Sequence, residues 1–343
     1  MLVVALTTLA ATALLSRQYM DIRRTSNIML FDQAFLYAQG MENVVGRLLQ
    51  EARESGQQRF DDRAQFDEVL AQMSLGFSFE GGNVTVSADY VEGRFNVNSL
   101  VDEKGDVVEK HKESYKALLN AVAITLEIPQ DHVNVLVDSL VDWMDKNSER
   151  GPEGAEDETY ESKEIPYKAA NRHLLSISEL RLIEGYTEFE QLLEGIPPES
   201  EDEEPIKGLL AYVSAVPIKD SKLNVNLVTE PLVFSSLSYT VDAKWVDQLM
   251  VIDEPYETVS AFVASNVFDQ ISGSNENPVS GDRKKFNEDI GNGQSLSVQS
   301  NYFQIRIVSN FDRVSVNLNS LLYVDKAGTK FEVLSRAIGT DGI

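Results

Sequence analysis

Cysteine is missing from this chain, and that absence removes disulfides, a thiolate nucleophile and a thiolate zinc site together. Histidine is nearly as scarce. His111, His132 and His173 stand far apart with no second ligand at metal spacing, and each is expected to be a surface or packing residue. No proline precedes Pro129, so nothing in the first third of the chain forces a helix to break. Positive charge is in short supply, with 30 basic against 55 acidic residues and a formal net charge of −25. That balance argues against nucleic acid, whose binding rests on cationic side chains displacing condensed counterions. It suits calcium or a basic protein surface instead.

Charge of either sign is absent from Met1 to Ser16 (MLVVALTTLAATALLS). A bilayer span needs about 20 apolar residues, so this run predicts a membrane helix whose remaining residues, with any leader, would lie upstream of Met1. A secretory signal peptide is the alternative. Against it, no Ala-x-Ala site with a turn follows and the helical period runs on. Ile28, Phe31, Phe35, Ala38, Met41, Val45 and Leu48 recur at intervals of three and four, which lays them along one stripe. Residues 1–16 and their amphipathic continuation 17–56 therefore read as one rod of about 50 residues, ending near Ser55-Gly56 where glycine permits a cap. The stripe of Ile28, Phe31, Phe35, Met41, Val45 and Leu48 is expected to pack against partner helices.

A chain of 343 residues can bury more than one core beyond the rod. Phe77 and Phe79, a turn at Glu80-Gly81-Gly82, and alternating Val84, Val86, Ala88 and Tyr90 predict a β-hairpin, with a third strand at Arg94 to Asn98. Leu223 to Val228 (LNVNLV) repeats the wording of Phe95 to Val101 (FNVNSLV). Both Asn-rich ends predict a strand handed over to a helix, because Asn caps well. Tyr115 to Glu127 and Val133 to Met144 are apolar at helical spacing, and Ser176…Glu179 and Thr187…Glu190 each fit a capping box, with Gly185 between them. A helix-hairpin-helix reading as a DNA grip fails on charge. Between Asp142 and Lys207 there are 19 acidic and seven basic residues, so packing is the expected role. Strands at Phe303 to Ile307, Val314 to Leu318 and Phe331 to Val333 predict a closing antiparallel meander, preceded by a long exposed loop over 272–294.

One stretch carries chemistry. In Trp143 to Tyr160 (WMDKNSERGPEGAEDETY) a helix end runs into a Gly- and Pro-broken loop with Asp145, Asn147, Glu149, Glu153, Glu156, Asp157 and Glu158. Hard oxygen ligands on a bendable loop are what calcium requires, although the EF-hand spacing fails after Asn147. A solvated acidic loop is the equal alternative on the residues alone. A carboxylate pair for glycoside hydrolysis lacks any supporting context.

The order of rod, FNVNSLV, WMDKNSERGPEGAEDETY, PYKAANR (166–172), SISELRLIEGY (176–186), LNVNLV and SNYFQIRI (300–307) resembles the general secretion pathway protein K family, the large minor pseudopilins of type II secretion systems. The resemblance implies an α+β, pilin-like fold in which a long N-terminal helix packs on an antiparallel sheet with a large all-helical domain inserted into that sheet. Residues 57–100 would form the first part of the pilin-like domain, 101–207 the insert with its acidic loop, and 208–343 the second part. It implies a non-enzymatic subunit capping and initiating the pseudopilus that drives export across the outer membrane. Its expected partners are pseudopilins I and J, the other pseudopilins and prepilin peptidase. It would be held in the inner membrane by a single span, with the globular part in the periplasm. It also implies a pair of Ca2+ ions in the insert, with Asp145, Asn147, Glu156 and Asp157 as ligands. The family's leader does not precede Met1, and no glutamate stands before Glu42. The latter fits a tip subunit with no neighbour above it. A membrane-tethered, calcium-binding adhesin or substrate-binding module is the competing expectation.

Overall fold

A computed structural model describes residues 2–55, 63–76, 78–79, 81–198, 200, 203–237, 255–264 and 296–339. The rod is a single helix, α1 (Leu2–Glu54), as its unbroken period predicts. A second helix, α2 (Arg63–Gly76), follows and is not anticipated by the sequence reading. Then come β1 (Ser78–Phe79) and β2 (Gly82–Asp89), the predicted hairpin. At the other end of the chain β9 (Tyr302–Phe311), β10 (Val314–Val324) and β11 (Phe331–Ile338) form the predicted meander. β2 pairs with β9 along its whole length, Gly82 opposite Phe311 and Asp89 opposite Gln304. The result is one antiparallel sheet in the order β1-β2-β9-β10-β11.

Helix α1 lies on this sheet through Ala38, Met41, Val45, Leu49 and Ala52, which meet Val84, Ile305, Ile307, Leu318 and Leu322. Small residues at Ala34 and Ala38 allow close approach, and the Phe331 ring packs so tightly on Gly46 that an added Cβ would lie 2.5 Å from it. Each fully buried aliphatic side chain contributes about 1.5–3 kcal/mol. The direction is fixed at both ends. Arg313 in the β9–β10 turn donates to Asn27 Oδ1 (2.9 Å) and Ser26 Oγ (3.1 Å), and Arg53 donates to the Ser300 carbonyl just before β9. The start of β9 is therefore at the end of α1 farthest from the apolar N-terminal segment.

Between β2 and β9 the chain leaves the sheet and builds a second core. Its elements are β3 (Phe95–Asn96), α3 (Glu109–Thr125), α4 (His132–Met144), α5 (Asp157–Glu161), α6 (Glu190–Glu194), β4 (Gly195–Ile196), β5 (Ile206–Lys207), β6 (Val213–Ser214), β7 (Leu223–Asn224), α7 (Val259–Val263) and β8 (Leu296–Ser297). Tyr115, Leu118, Leu136, Leu140, Tyr186 and Val225 are fully buried within it. This core also includes Leu209, Tyr212, Phe234, Phe262 and Leu296. The helical core therefore draws on residues beyond 101–207, and these, assigned from the sequence to the returning pilin-like part, pack within it. The two Asn-rich words turn out to be equivalent. Asn96 Oδ1 accepts from Asn98 N (3.2 Å) and Asn224 Oδ1 from Asn226 N (3.0 Å), each starting a 3-10 turn. Asn98 then clamps both backbone groups of Leu174, and Asn226 both of Tyr256. The expected strand at Arg94 to Asn98 is thus short and pairs in parallel with β6, outside the main sheet. The Ser176…Glu179 capping box is present. The one expected at Thr187 is not, since α6 starts after Phe189 with no side-chain cap. The expected loop 272–294 lies outside the described residues.

Candidate functional site

The acidic loop hangs from the C-terminal end of α4. Asp138 and Asp142 on that helix and Asp145, its C-cap, recur at intervals of four and three, which gathers three carboxylates at this end. Asp142 accepts from Gly151 N (2.9 and 3.1 Å), which folds the loop back on the helix. Gly154 closes the turn. A Cβ there would stand 1.9 Å from Asp142 Oδ2, so only glycine fits. Asp138 is partly neutralised by Lys112 (2.8 Å) and accepts from Glu153 N (3.2 Å). Asp145 accepts from Asn147 N (3.1 Å), and Asn147 Oδ1 from Glu149 N (2.6 Å).

Glu156 is different. Its side chain is buried and neither carboxylate oxygen has a hydrogen-bond partner. Burial, then the charges of Asp142 and Asp145, push its pKa up to about 7. Burial and the charges of Asp145 and Asp138 push Asp142 to about 6 against the pull of Gly151 N–H, and burial also raises Asp145. An orphaned carboxylate beside two others is a cost that only a proton or a cation can relieve. Asn171 adds a second unpartnered buried acceptor at Oδ1, and its N–H bonds the Trp143 carbonyl (2.9 Å) at the same helix end.

The four ligands expected from the sequence therefore separate. Asp145 and Glu156 belong to the cluster, and Asn147 sits on the loop at its edge. Both Asp157 oxygens are already engaged, by Lys168 Nζ (2.9 Å) and Ala169 N (3.0 Å), and those bonds hold its pKa below the ordinary carboxylate range. Asp142 and Asn171 were missed. The period of α4 could have found Asp142, but no sequence signal pointed to Asn171. Among the described residues no three His, Cys, Asp or Glu side chains stand close enough together to hold a metal as a ready-made set. The donors suit a hard cation that also takes backbone carbonyls, and the loop would have to close on it.

The second expected site, the partner-helix stripe, needs correction. Met41 and Val45 are buried against the chain's own sheet, with Phe35 and Leu48 packed partly on the same core. Ile28 and Phe31 remain exposed. The large apolar side chains that α1 exposes beyond residue 16 are Tyr19, Met20, Ile22, Ile28, Met29, Phe31, Leu36, Tyr37 and Val44. α1 is long and apolar enough to cross a membrane, with its most apolar stretch wholly unburied.

Comparison with known proteins agrees with this architecture. Residues 93–193 match the family described as type II secretion system (T2SS), protein K. The chain is 32% identical over 235 residues, 68% of its own length, to type II secretion system protein K of Pseudomonas aeruginosa, and 28% identical over 235 residues, 67% of its length, to that of Pectobacterium carotovorum. These matches span 64% and 65% of those two relatives. In fold it resembles a chain in the crystal structure of the GspK-GspI-GspJ complex from the enterotoxigenic Escherichia coli type 2 secretion system, with a TM-score of 0.65 at 19% identity over 93% of this chain and 100% of that one. With its long helix on an antiparallel sheet and a helical insert between β2 and β9, the chain is similar to type II secretion system protein K in sequence and to the solved chain in fold.

Proposed function

We propose that this protein is the minor pseudopilin at the tip of the type II secretion pseudopilus, a non-enzymatic subunit that caps and initiates the filament. The observation that carries the reading is where the insert is rooted. It leaves and rejoins the sheet at the end of α1 farthest from the apolar segment, so its bulk occupies the space a further subunit would need above it. The apolar helix would hold the chain in the inner membrane with the globular part in the periplasm. Its exposed Met29, Leu36 and Val44 would then pack against helices of pseudopilins I and J. That assignment is supported by the solved complex of the structural relative with its GspI and GspJ.

Calcium is the second part of the proposal. Asp142, Asp145, Glu156 and Asn171, with carbonyls of the 147–154 loop, would hold it, and Asp157 would join them only if Lys168 released it. The ion supplies positive charge to carboxylates that the polypeptide leaves unmatched. The full chain in detergent, mixed with pseudopilins I and J and run on size-exclusion chromatography with light scattering, tests the assembly. Co-elution near one copy of each supports it. Separate elution at tens of micromolar protein with calcium present overturns it.

A further inference from the structure

A cleft of about 650 Å³ opens between the outer face of the sheet, opposite α1, and the insert. Its volume is within the ordinary range for a specific binding site, about 300–1,000 Å³. Three arginines line it, Arg94, Arg181 and Arg306, with Asp89 as the one carboxylate. In a chain of net charge −25 this is a local reversal of sign. Two of the three cations are already matched. Arg94 grips Asp89 through two bonds (2.7 and 3.2 Å), and Arg181 pairs with Glu194. Arg306 is not. It projects from β9 between Ser87 of β2 and Asn319 of β10, and donates through Nε to Asn319 Oδ1 (3.3 Å). It forms no ion pair with a carboxylate among the described residues, so the outer edge of its guanidinium is available for a two-pronged contact.

The rest of the wall mixes aliphatic side chains, the half-buried Ile177 and Leu210 and the buried Val213, Val216 and Leu321 among them, with polar Ser178 and Gln304. Ser214, in the same wall, is buried with its hydroxyl unpartnered. A free inorganic anion would satisfy Arg306 and leave the half-buried Ile177 and Leu210 wet. A segment of chain would satisfy both.

We propose that the cleft is a docking site for an extended acidic segment of a protein partner, in which a Glu or Asp side chain engages Arg306 and flanking aliphatic side chains cover Ile177 and Leu210. This goes beyond the tip reading and does not depend on it. The test is isothermal titration of the full chain in detergent with acetyl-Leu-Val-Glu-Val-Leu-amide and with the same peptide carrying Gln, each corrected against empty micelles. The Glu peptide is expected to bind at least tenfold more tightly, and Arg306→Glu to erase that difference while leaving the melting temperature unchanged. Arg306→Lys, which keeps charge and loses the fork, should retain part of it. Equal binding of the two peptides, binding of neither, or a preference that survives Arg306→Glu overturns the proposal. So does glutarate competing as well as the peptide, because that would mark a small-anion site.

Discussion

The helix–sheet interface and the acidic loop each bury a glutamate, and the two are treated in opposite ways. Glu42 on α1 is fully buried against β10 and β11. Its carboxylate takes two prongs from Arg336 (2.7 and 2.8 Å) and a third bond from Ser320 Oγ (2.6 Å). Glu92, where the insert leaves β2, is likewise met by Asn301 N (2.6 Å), Tyr302 N (3.0 Å) and Lys222 N (3.3 Å), although burial still pushes its pKa to about 7. Glu156 has no such company. Where the polypeptide completes its own polar network, the region can order without help. Where the network is left open, a buried carboxylate goes unmatched, and the stability of the region depends on its protonation or on any cation it takes up.

That contrast can be broken most forcefully at Arg336. Arg336→Met strips the cation from a buried carboxylate and is expected to cost about 3–5 kcal/mol in urea unfolding. Loss below 1 kcal/mol would show that Glu42 is not held by this pair. Next is Gly154→Ala, whose Cβ would collide with Asp142. A cost of about 1–3 kcal/mol is expected from overpacking, together with loss of any calcium response in the melting temperature. Calcium itself should add about 1.4 kcal/mol at ~1 mM ion if its dissociation constant is ~10⁻⁴ M. Glu156→Gln sharpens the comparison through its sign. In chelator it should raise the melting temperature by removing an unmatched buried charge, and in calcium it should abolish the rise seen in the parent.

The pH dependence follows the same logic. Glu156 and Asp142 bind their protons more tightly folded than unfolded, at about 7 and about 6 against ordinary values of 4.5 and 3.8. Their contribution is therefore fully present at low pH, below the unfolded values, and is lost as pH rises through about 6 to 7. Thermal melts in chelator across that window should show the decline, and saturating calcium should remove it. The smallest effect on folding is expected at Leu36→Ala, within about 0.5 kcal/mol because the side chain is exposed. The same change should weaken co-elution with pseudopilins I and J.

The sequence was most legible where a period repeats. α1 and the β9–β11 meander were readable because spacing of three and four or of two runs unbroken over many residues. Period shows that a face is buried and not what buries it, which is why Met41 and Val45, expected against partner helices, lie on the chain's own sheet. The acidic loop was locatable from composition. Its actual cluster draws Asp142 from inside an apolar helix, where the neighbours Leu140, Val141 and Trp143 mask it, and draws Asn171 from a segment that only tertiary folding brings to Trp143. The extent of the insert was hidden for a similar reason. Its second half is tied to the first by Asn96 and Asn98, which both donate to the Val216 carbonyl, and by buried Phe234 and Phe262, contacts that no local pattern announces.

Pairing of β2 with β9 has a consequence for how the chain acquires its shape. These adjacent strands at the centre of the sheet, Asp89 opposite Gln304, are separated in sequence by the whole insert. Closing so long a loop is entropically slow when the intervening chain is unstructured. An insert that collapses first brings Tyr90 and Asn301 together and shortens the search to a local one, with Glu92 joining the two ends through Asn301 N and Tyr302 N. The helical domain would then act as the nucleus on which the pilin-like sheet zips shut.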